Sequence, residues 1–298
     1  NRCVVHNCNE PKVAAGVDFY CFDPDAQVLM ADGVQKSISS VVEGDFVRSH
    51  DGSANVVEKV HKKHTSEQML KIRVSGVSMG TLRVTPGHDI LTERDGEIKF
   101  VPAETLSQGD YLLTPCGYMS DIPHIVDNNF AWLVGVYAAE GCGIPYTHNS
   151  VKSKYSQYFN GVVFTISMEE KNTLAEEIRE KVKKVYPGKK VVIREVAECG
   201  RIEVKVFGQD IADDLIGHCP GTAKFGDKKF ISSVMKWSNE NLKHLLSGYF
   251  SGDGCYNAGN GFQGVGVARK MMDQLANICD RLSLEYSYTK TRLDKYNR

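Results

Sequence analysis

The sequence holds no CxxC pair, no Pro-rich or low-complexity tract, and no apolar run near the ~18 residues that a membrane span needs. Each absence excludes something. The nine cysteines, at positions 3, 8, 21, 116, 142, 199, 219, 255 and 279, are scattered and odd in number. That argues against a disulfide framework and for a reducing, intracellular (cytoplasmic) setting. The amino terminus carries no signal-peptide apolar stretch. With 42% hydrophobic residues and no biased tracts, the chain has material for ordinary buried cores. Its 298 residues leave room for more than one domain at roughly 100–200 residues each. An excess of charge of one sign is also missing, and a net charge of −1 excludes a uniformly basic polyanion binder. The balance is uneven, because residues 1–117 carry a net −4 and residues 118–298 a net +3, which permits basic clusters in the second part.

What is present changes texture along the chain. Residues 1–20 share no pattern with the rest of the sequence. From Cys21 to about Pro115, short β-prone runs such as Val56–Val60, Leu70–Val74 and Gly80–Val84 alternate with turns at Asp32-Gly33, Asp51-Gly52 and Asp95-Gly96, which predicts an all-β domain. That domain echoes itself. Asp32-Gly33, Ile38, Val41 and Gly44-Asp45-Phe46-Val47 recur in order as Asp95-Gly96, Ala103, Leu106 and Gly109-Asp110-Tyr111-Leu112, so a repeated β-subunit about a pseudo-two-fold is expected. After Gly117 the pattern turns α/β. Helices are expected over Phe130–Ala139, Lys171–Val185, Asn239–Ser251 and Val267–Leu282, and strands over Gly161–Met168, Lys190–Val196 and Arg201–Phe207.

Two of these helices carry one motif. LVGVYAAEG (Leu133–Gly141) and LSGYFSGDG (Leu246–Gly254) share a glycine at the third position, small residues near the end, an acid at the eighth and glycine at the ninth. Small residues on one face let helices approach closely, and a terminal glycine suits a left-handed cap. Side by side, the helices bring Glu140 and Asp253 to one edge. Two carboxylates there repel unless they share a proton or hold a divalent cation. Mg²⁺ suits such a pair together with phosphate oxygens and water, which points to metal-assisted phosphodiester hydrolysis. The two segments resemble the motif of the LAGLIDADG homing endonucleases. The resemblance implies αββαββα repeats whose sheets saddle double-stranded DNA, with Glu140 and Asp253 as the catalytic, metal-binding acids. In KKFISSVM (Lys228–Met235) it carries over Lys229 as a catalytic-support lysine. Lys152, Lys154, Arg194, Arg201 and Lys205 are candidate DNA contacts on the expected strands, although Glu203 between the last two puts mixed charge on one face.

Cys21 opens the β domain where the unpatterned leader stops. Attack of its thiol on the Tyr20 carbonyl would make a thioester, an intramolecular reaction favoured by proximity. The departing amide nitrogen needs a proton donor, and the oxyanion needs hydrogen-bond donors. Thr85-Pro86-Gly87-His88, directly after a predicted strand, can supply both. CFDPDAQVLMADG…VVEGDFV and LRVTPGHDILTERDGEIKFVPAETLSQGDYLL together resemble the Hedgehog/intein (Hint) autoprocessing family. The resemblance implies that Cys21 is the splice-junction nucleophile, that His88 protonates or labilises the scissile amide, and that Thr85 orients it. Ala26 departs from it, standing where the family often has Thr or Ser. Large inteins have this arrangement: an autoprocessing domain carrying an endonuclease.

The expected fold class is therefore α+β multidomain, an all-β Hint fold followed by an α/β LAGLIDADG fold. Residues 1–20 read as a host (extein) segment in cis, 21–120 as the splicing domain, 121–240 as endonuclease subdomain 1 and 241–298 as a short subdomain 2. The ending DKYNR lacks an intein's C-terminal residues, so the chain reads as the front portion of one. Mg²⁺ is the expected cofactor of cutting and splicing needs none. The expected state is a monomer without membrane contact. Cys3, His6 and Cys8 match no common zinc spacing. Two alternatives stay open: a Hedgehog-like autoprocessor, and a non-catalytic DNA-binding protein on the LAGLIDADG scaffold.

Overall fold

Residues 32–47 and 95–112 build one piece of backbone twice. The computed structural model describes residues 21–62, 68–77, 81–113, 116–120, 123–145, 159–258 and 261–288. The leader 1–20, with Cys3, His6 and Cys8, and the candidates Lys152 and Lys154 lie outside these residues. The protein is mixed α/β with small sheets and divides into two compact units, Asn1–Ile122 with Cys279–Arg298, and Pro123–Ile278.

Between Cys21 and Leu113 the described residues form strands and turns without an α-helix. β1 (Gln27–Leu29) pairs with β2 (Gln35–Ser37), β3 (Phe46–Arg48) with β4 (Ala54–Val56), and β5 (Leu70–Arg73) with β6 (Thr81–Val84). β7 (Asp89–Arg94) lies between β8 (Glu97–Pro102) and β9 (Tyr111–Leu112), and every pairing is antiparallel. The expected strand Val56–Val60 stops at Val56, because the Val57 side chain turns into the core and its backbone bonds Gly44 and Asp45 instead.

The duplication is visible atom by atom. A 3₁₀ turn at Ile38–Ser40 has its mate at Ala103–Thr105. The residues before them, Ser37 (φ −57°, ψ 135°) and Pro102 (φ −57°, ψ 137°), share one backbone conformation. Ile38 N–H donates to the Ala26 carbonyl as Ala103 N–H does to that of His88, both at 2.8 Å. Asp45 closes the first copy by accepting from Val42 N–H (2.9 Å) and the Lys36 ammonium (2.6 Å). Asp110 closes the second, accepting from Ser107 N–H (2.8 Å) and the Arg94 guanidinium (2.6 Å). These hydrogen bonds hold both carboxyls below the usual carboxylate range. Gly44 (φ +88°) and Gly109 (φ +108°) take the left-handed backbone that the turn before each aspartate needs. Each copy has its own small core, Met30, Ile38, Val41, Val47 and Val57 in one and Val84, Ile90 and Ala103 in the other, and Phe22 packs against both.

The second unit starts with α1 (Asn128–Glu140), β10 (Gly141–Pro145), β11 (Phe159–Ser167), α2 (Leu174–Val185), β12 (Val191–Val196), β13 (Arg201–Phe207) and α3 (Gln209–His218). This is one αββαββα repeat around an antiparallel sheet of order β10-β11-β13-β12. After the short α4 (Ser232–Met235) comes a second helix-led series: α5 (Asn239–Asp253), β14 (Gly254–Asn257), β15 (Gly261–Gly264) and α6 (Arg269–Arg281). α1 is buried on all sides from Ala131 to Ala138. α2 is amphipathic, with Glu176 and Glu177 in its first turn and Lys183 and Lys184 in its last, matching the helix dipole. No described helix is long and apolar enough to cross a membrane.

α1 and α5 pack backbone to backbone. A Cβ on Gly135 would collide with the Leu245 carbonyl, and one on Gly248 with that of Trp132. At the entry end, Asn241 bonds the Val126 backbone on both sides (3.1 and 2.8 Å) and the Asn128 side chain (2.7 Å). Asp127 caps α1 through Asn129 and Phe130 N–H, and Ser238 caps α5 through Asn241 N–H.

Candidate functional site

The close approach of α1 and α5 determines where their last residues meet. A Cβ on Gly252 would stand 2.8 Å from Glu140 Cγ, so only glycine lets the Glu140 stem lie against α5 at this level. Gly141 and Gly254 come directly after the two acids, and their role differs from the left-handed cap that the motif suggests. Both are extended (φ −88° and −94°), and each helix passes directly into β10 or β14. Glycine is required because a Cβ would run into the carbonyl and ring of Tyr137 or the backbone of Phe250.

Glu140 and Asp253 are half-buried and feel each other. Burial first, then the Asp253 charge, pushes Glu140 up to about 7. Burial also raises Asp253, opposed by a hydrogen bond from the Tyr249 hydroxyl and by the Lys228 charge. Among the described residues no cluster of three or more His, Cys, Asp or Glu side chains is placed to hold a metal. The donor set among the described residues is thus two half-buried carboxylates. That composition suits a hard, partly hydrated cation such as Mg²⁺ and does not suit a closed structural zinc site.

Of the two adjacent lysines, the structure buries the one before the candidate Lys229. Lys229 is exposed, whereas Lys228 is 2% exposed. Its ammonium donates to the carbonyls of Tyr137 (2.7 Å), Ala138 (2.9 Å) and Gly141 (2.8 Å). It therefore ties the end of α1 to the start of β10, adding a second donor to the Tyr137 carbonyl, which also accepts from Gly141 N–H. Burial lowers its pKa, while Cys219, Cys142, Asp253 and Glu140 oppose that. Phe230 is buried, and Lys228, two residues before it, is buried with it while Lys229 between them is exposed. Tyr249, fully buried one helical turn before Asp253, has no distinguishing signal in the sequence.

The four-stranded sheet gathers the described candidate DNA contacts on one face. Arg201 stands between Ser167 and Val196, Glu203 between Thr165 and Arg194, and Lys205 between Val163 and Val192. The alternate residues Ile202, Val204 and Val206 are fully buried on the other face. Glu203 accepts from Arg201 (3.1 Å) and Lys205 (2.8 Å), whereas Arg194 is exposed.

In the first unit, Cys21, Thr85 and His88 lie side by side. Cys21 is 2% exposed and Thr85 1%. Cys21 N–H donates to Thr85 Oγ1 at 2.8 Å, and Thr85 N–H returns a bond to the Cys21 carbonyl at 2.9 Å. The His88 ring lies edge-on to Phe22, with ring centroids 4.1 Å apart, and His88 N–H donates to the Thr85 carbonyl at 3.1 Å. The hydroxyl on the nitrogen of the Tyr20–Cys21 bond therefore belongs to Thr85. Across the duplication, Asp23–Ala26 is the mate of Thr85–His88, because Ala26 N–H bonds the Asp23 carbonyl and Ser39 N–H bonds the Pro24 carbonyl just as Glu104 N–H bonds that of Pro86.

No protein-family profile matches the chain. Iron-sulfur cluster assembly SufBD family proteins of Mycobacterium bovis and Mycobacterium tuberculosis are 25% identical to it over 271 residues, covering 81% of this chain and 30% of theirs. A reverse gyrase of Methanocaldococcus jannaschii is 27% identical over 105 residues, 33% of this chain and 6% of that protein. The chain thus spans less than a third of the length of these curated relatives. Among solved structures, I-DmoI in complex with DNA and Mn is similar at a TM-score of 0.30 with 14% identity, covering 43% of this chain and 63% of that one. A variant of I-DmoI in complex with its target DNA and Mn is similar at a TM-score of 0.34 with 11% identity, covering 52% and 76%.

Proposed function

We propose that this chain joins an intein-type self-processing unit, started by an N–S acyl shift at Tyr20–Cys21, to a LAGLIDADG homing-endonuclease unit that cuts double-stranded DNA with Mg²⁺. The observation that carries the nuclease half is the meeting of Glu140 and Asp253 at the ends of two glycine-packed helices, half-buried and mutually repelling. A bound divalent cation would supply Lewis-acid stabilisation and an activated water. The chain's own residues then divide the remaining work. Glu140 and Asp253 hold the cation. Tyr249 orients Asp253, Lys228 fixes the last turn of α1 beneath Glu140, and the open face of the sheet receives the duplex.

For the processing half, Sγ of Cys21 attacks the Tyr20 carbonyl carbon, the C–N bond to Cys21 breaks, and a thioester and a free α-amine result. One proton passes in effect from sulfur to nitrogen, with His88 as its carrier. Thr85 Oγ1 holds the amide N–H so that the nitrogen keeps one orientation through the step. Residues 1–20 are the host segment in cis, and the working form is an intracellular monomer. The two differently named groups of relatives, matched over 30% and 6% of their lengths, support an element carried inside unlike hosts.

Two assays test the halves separately. A strong thiol should release residues 1–20 from the full chain, with the product identified by mass spectrometry and abolished in Cys21→Ala. An identical product from that variant would remove Cys21 from the mechanism. Cleavage of a randomised duplex library in Mg²⁺ should disappear in Glu140→Gln combined with Asp253→Asn, and cutting that survives both changes would defeat the metal site.

A further inference from the structure

Three side chains in a row on β13 combine charge and restraint in a way that the acid site does not use. Arg201, Glu203 and Lys205 project from the open face of the sheet, and Glu203 binds both neighbours. The Glu203 side chain is 15% exposed, against 44% for Arg201 and 28% for Lys205, so the acid sits deepest and the cations fold inward over it. The Lys205 hydrogen bond, more than any other contact, holds the Glu203 carboxyl below the usual range. Val163, Val192 and Val196 stand beside the trio as cross-strand neighbours, with Thr165 and Arg194 flanking Glu203 itself.

We infer that Glu203 is a specificity-determining residue of the proposed DNA face: it holds Arg201 and Lys205 as fixed donors to guanine edges in G·C-containing sequence. This rests on the DNA-cutting function proposed for the second unit. A cation that neutralises a phosphate must be free to follow it, and its binding releases counterions. Arg201 and Lys205 would have to leave Glu203 to do so, which handicaps phosphate contact and favours sites where the pair stays intact. A donor already held in one direction meets guanine O6 and N7 with little ordering left to do. The spacing agrees, since residues two apart on a strand are ~6.6–6.8 Å apart, about two base steps of ~3.4 Å each. Arg194 is the contrast on the same face. It is exposed and enters no ion pair among the described residues, which suits a mobile phosphate contact.

The test measures anisotropy of labelled short duplexes, one of mixed G·C-rich sequence and one purely of A·T, with the full chain across a salt series in Ca²⁺. Glu203→Gln should steepen the fall of log K with log salt by about 1–2 and tighten binding to both duplexes at low salt, because the freed cations reach phosphates. The preference for the G·C-rich duplex should drop about tenfold. Arg194→Ala should do the reverse, making the slope shallower by about 1 and leaving the preference in place. Glu203→Asp, which keeps the charge, should retain most of the wild-type slope. An equal loss of affinity for both duplexes in Glu203→Gln, with the slope unchanged, would reduce Glu203 to a structural residue and overturn the inference. Wild-type protein that binds neither duplex would instead remove the DNA reading, and this inference with it.

Discussion

In the first unit the turns Asp23–Ala26 and Thr85–His88 share a backbone and differ in the side chains that bear chemistry, whereas in the second unit α1 and α5 differ in sequence and share theirs. The proposed processing reaction has one bond to break, so under that proposal one copy of the turn needs Thr85 and His88, and its mate holds Asp23 in an ion pair with Arg83 and carries Ala26. The proposed cutting of a duplex has two strands to serve, and both helices carry an acid at the same place, Glu140 and Asp253. A duplication keeps its chemical symmetry where the substrate is itself symmetric and keeps only its backbone symmetry where it is not.

The strongest way to break this contrast is to exchange the roles of the two turns. His88→Ala should slow thiol-induced release of residues 1–20 by about 10²–10⁴-fold, the usual worth of a positioned proton carrier. Thr85→Val, which removes the acceptor from Cys21 N–H, should cost about tenfold. Ala26→Ser and Asp23→Asn, at the mate positions, should leave the rate within about twofold, since neither side chain bonds Cys21 N–H as Thr85 does. Rates followed by mass spectrometry that fall equally for both turns would mean that the second turn is also chemical.

Glycines and lysines sharpen the contrast at the level of stability. Gly135 and Gly248 face a neighbouring backbone, so alanine at either should cost about 3 kcal/mol, the upper end of overpacking. Gly44 and Gly109 have open space around them and are constrained only by a positive φ, so alanine there should cost about 1–2 kcal/mol. Lys228→Met removes three hydrogen bonds where α1 passes into β10 and should cost about 3 kcal/mol, while Lys229→Ala should stay within about 0.5 kcal/mol. Urea unfolding of the full-length variants measures all of these. A Lys229 effect as large as that of Lys228 would mean that both lysines hold the fold, while the catalytic-support role expected of Lys229 is tested by the cutting rate of Lys229→Ala.

How much of the fold and the site is legible in the sequence depends on whether the signal is periodic or positional. The β duplication can be read from Gly44-Asp45 and Gly109-Asp110, because a positive-φ glycine before a hydrogen-bonded aspartate leaves a fixed dipeptide. The equivalence of Ala26 and His88 cannot, since the β7–β8 hairpin is longer than β1–β2. Three more residues separate His88 from Ala103 than separate Ala26 from Ile38, and a constant spacing misses the pair. The acid pair is legible because the glycines that force close helix packing are spelled out in both motifs. Their terminal glycines suggest a cap, whereas the real constraint is contact with Tyr137 and Phe250. Nothing periodic distinguishes Lys228 from Lys229 until the burial of Phe230 fixes which way the segment faces.

The smallest expected effect concerns pH, and it probes the acid pair without DNA. The carboxyl of Glu140 is raised in the folded state to about 7 from an ordinary value of 4.5, mainly by burial and then by Asp253. A raised carboxylate favours the folded protein while it is protonated. Its contribution is fully present below about 4.5 and is lost as pH climbs to about 7, and Asp253, also raised, adds in the same direction. After discounting for solvent screening, Glu140 should contribute about 1 kcal/mol across that window. In metal-free protein, unfolding followed by the helical far-ultraviolet signal should show stability declining between these limits, and Glu140→Gln should flatten the decline. Mg²⁺ should reverse it, because a cation favours the ionised pair that burial disfavours. A metal-free stability that rises across the window would mean that the two helices do not bring their acids together, and the second unit would lose the chemical symmetry that distinguishes it from the first.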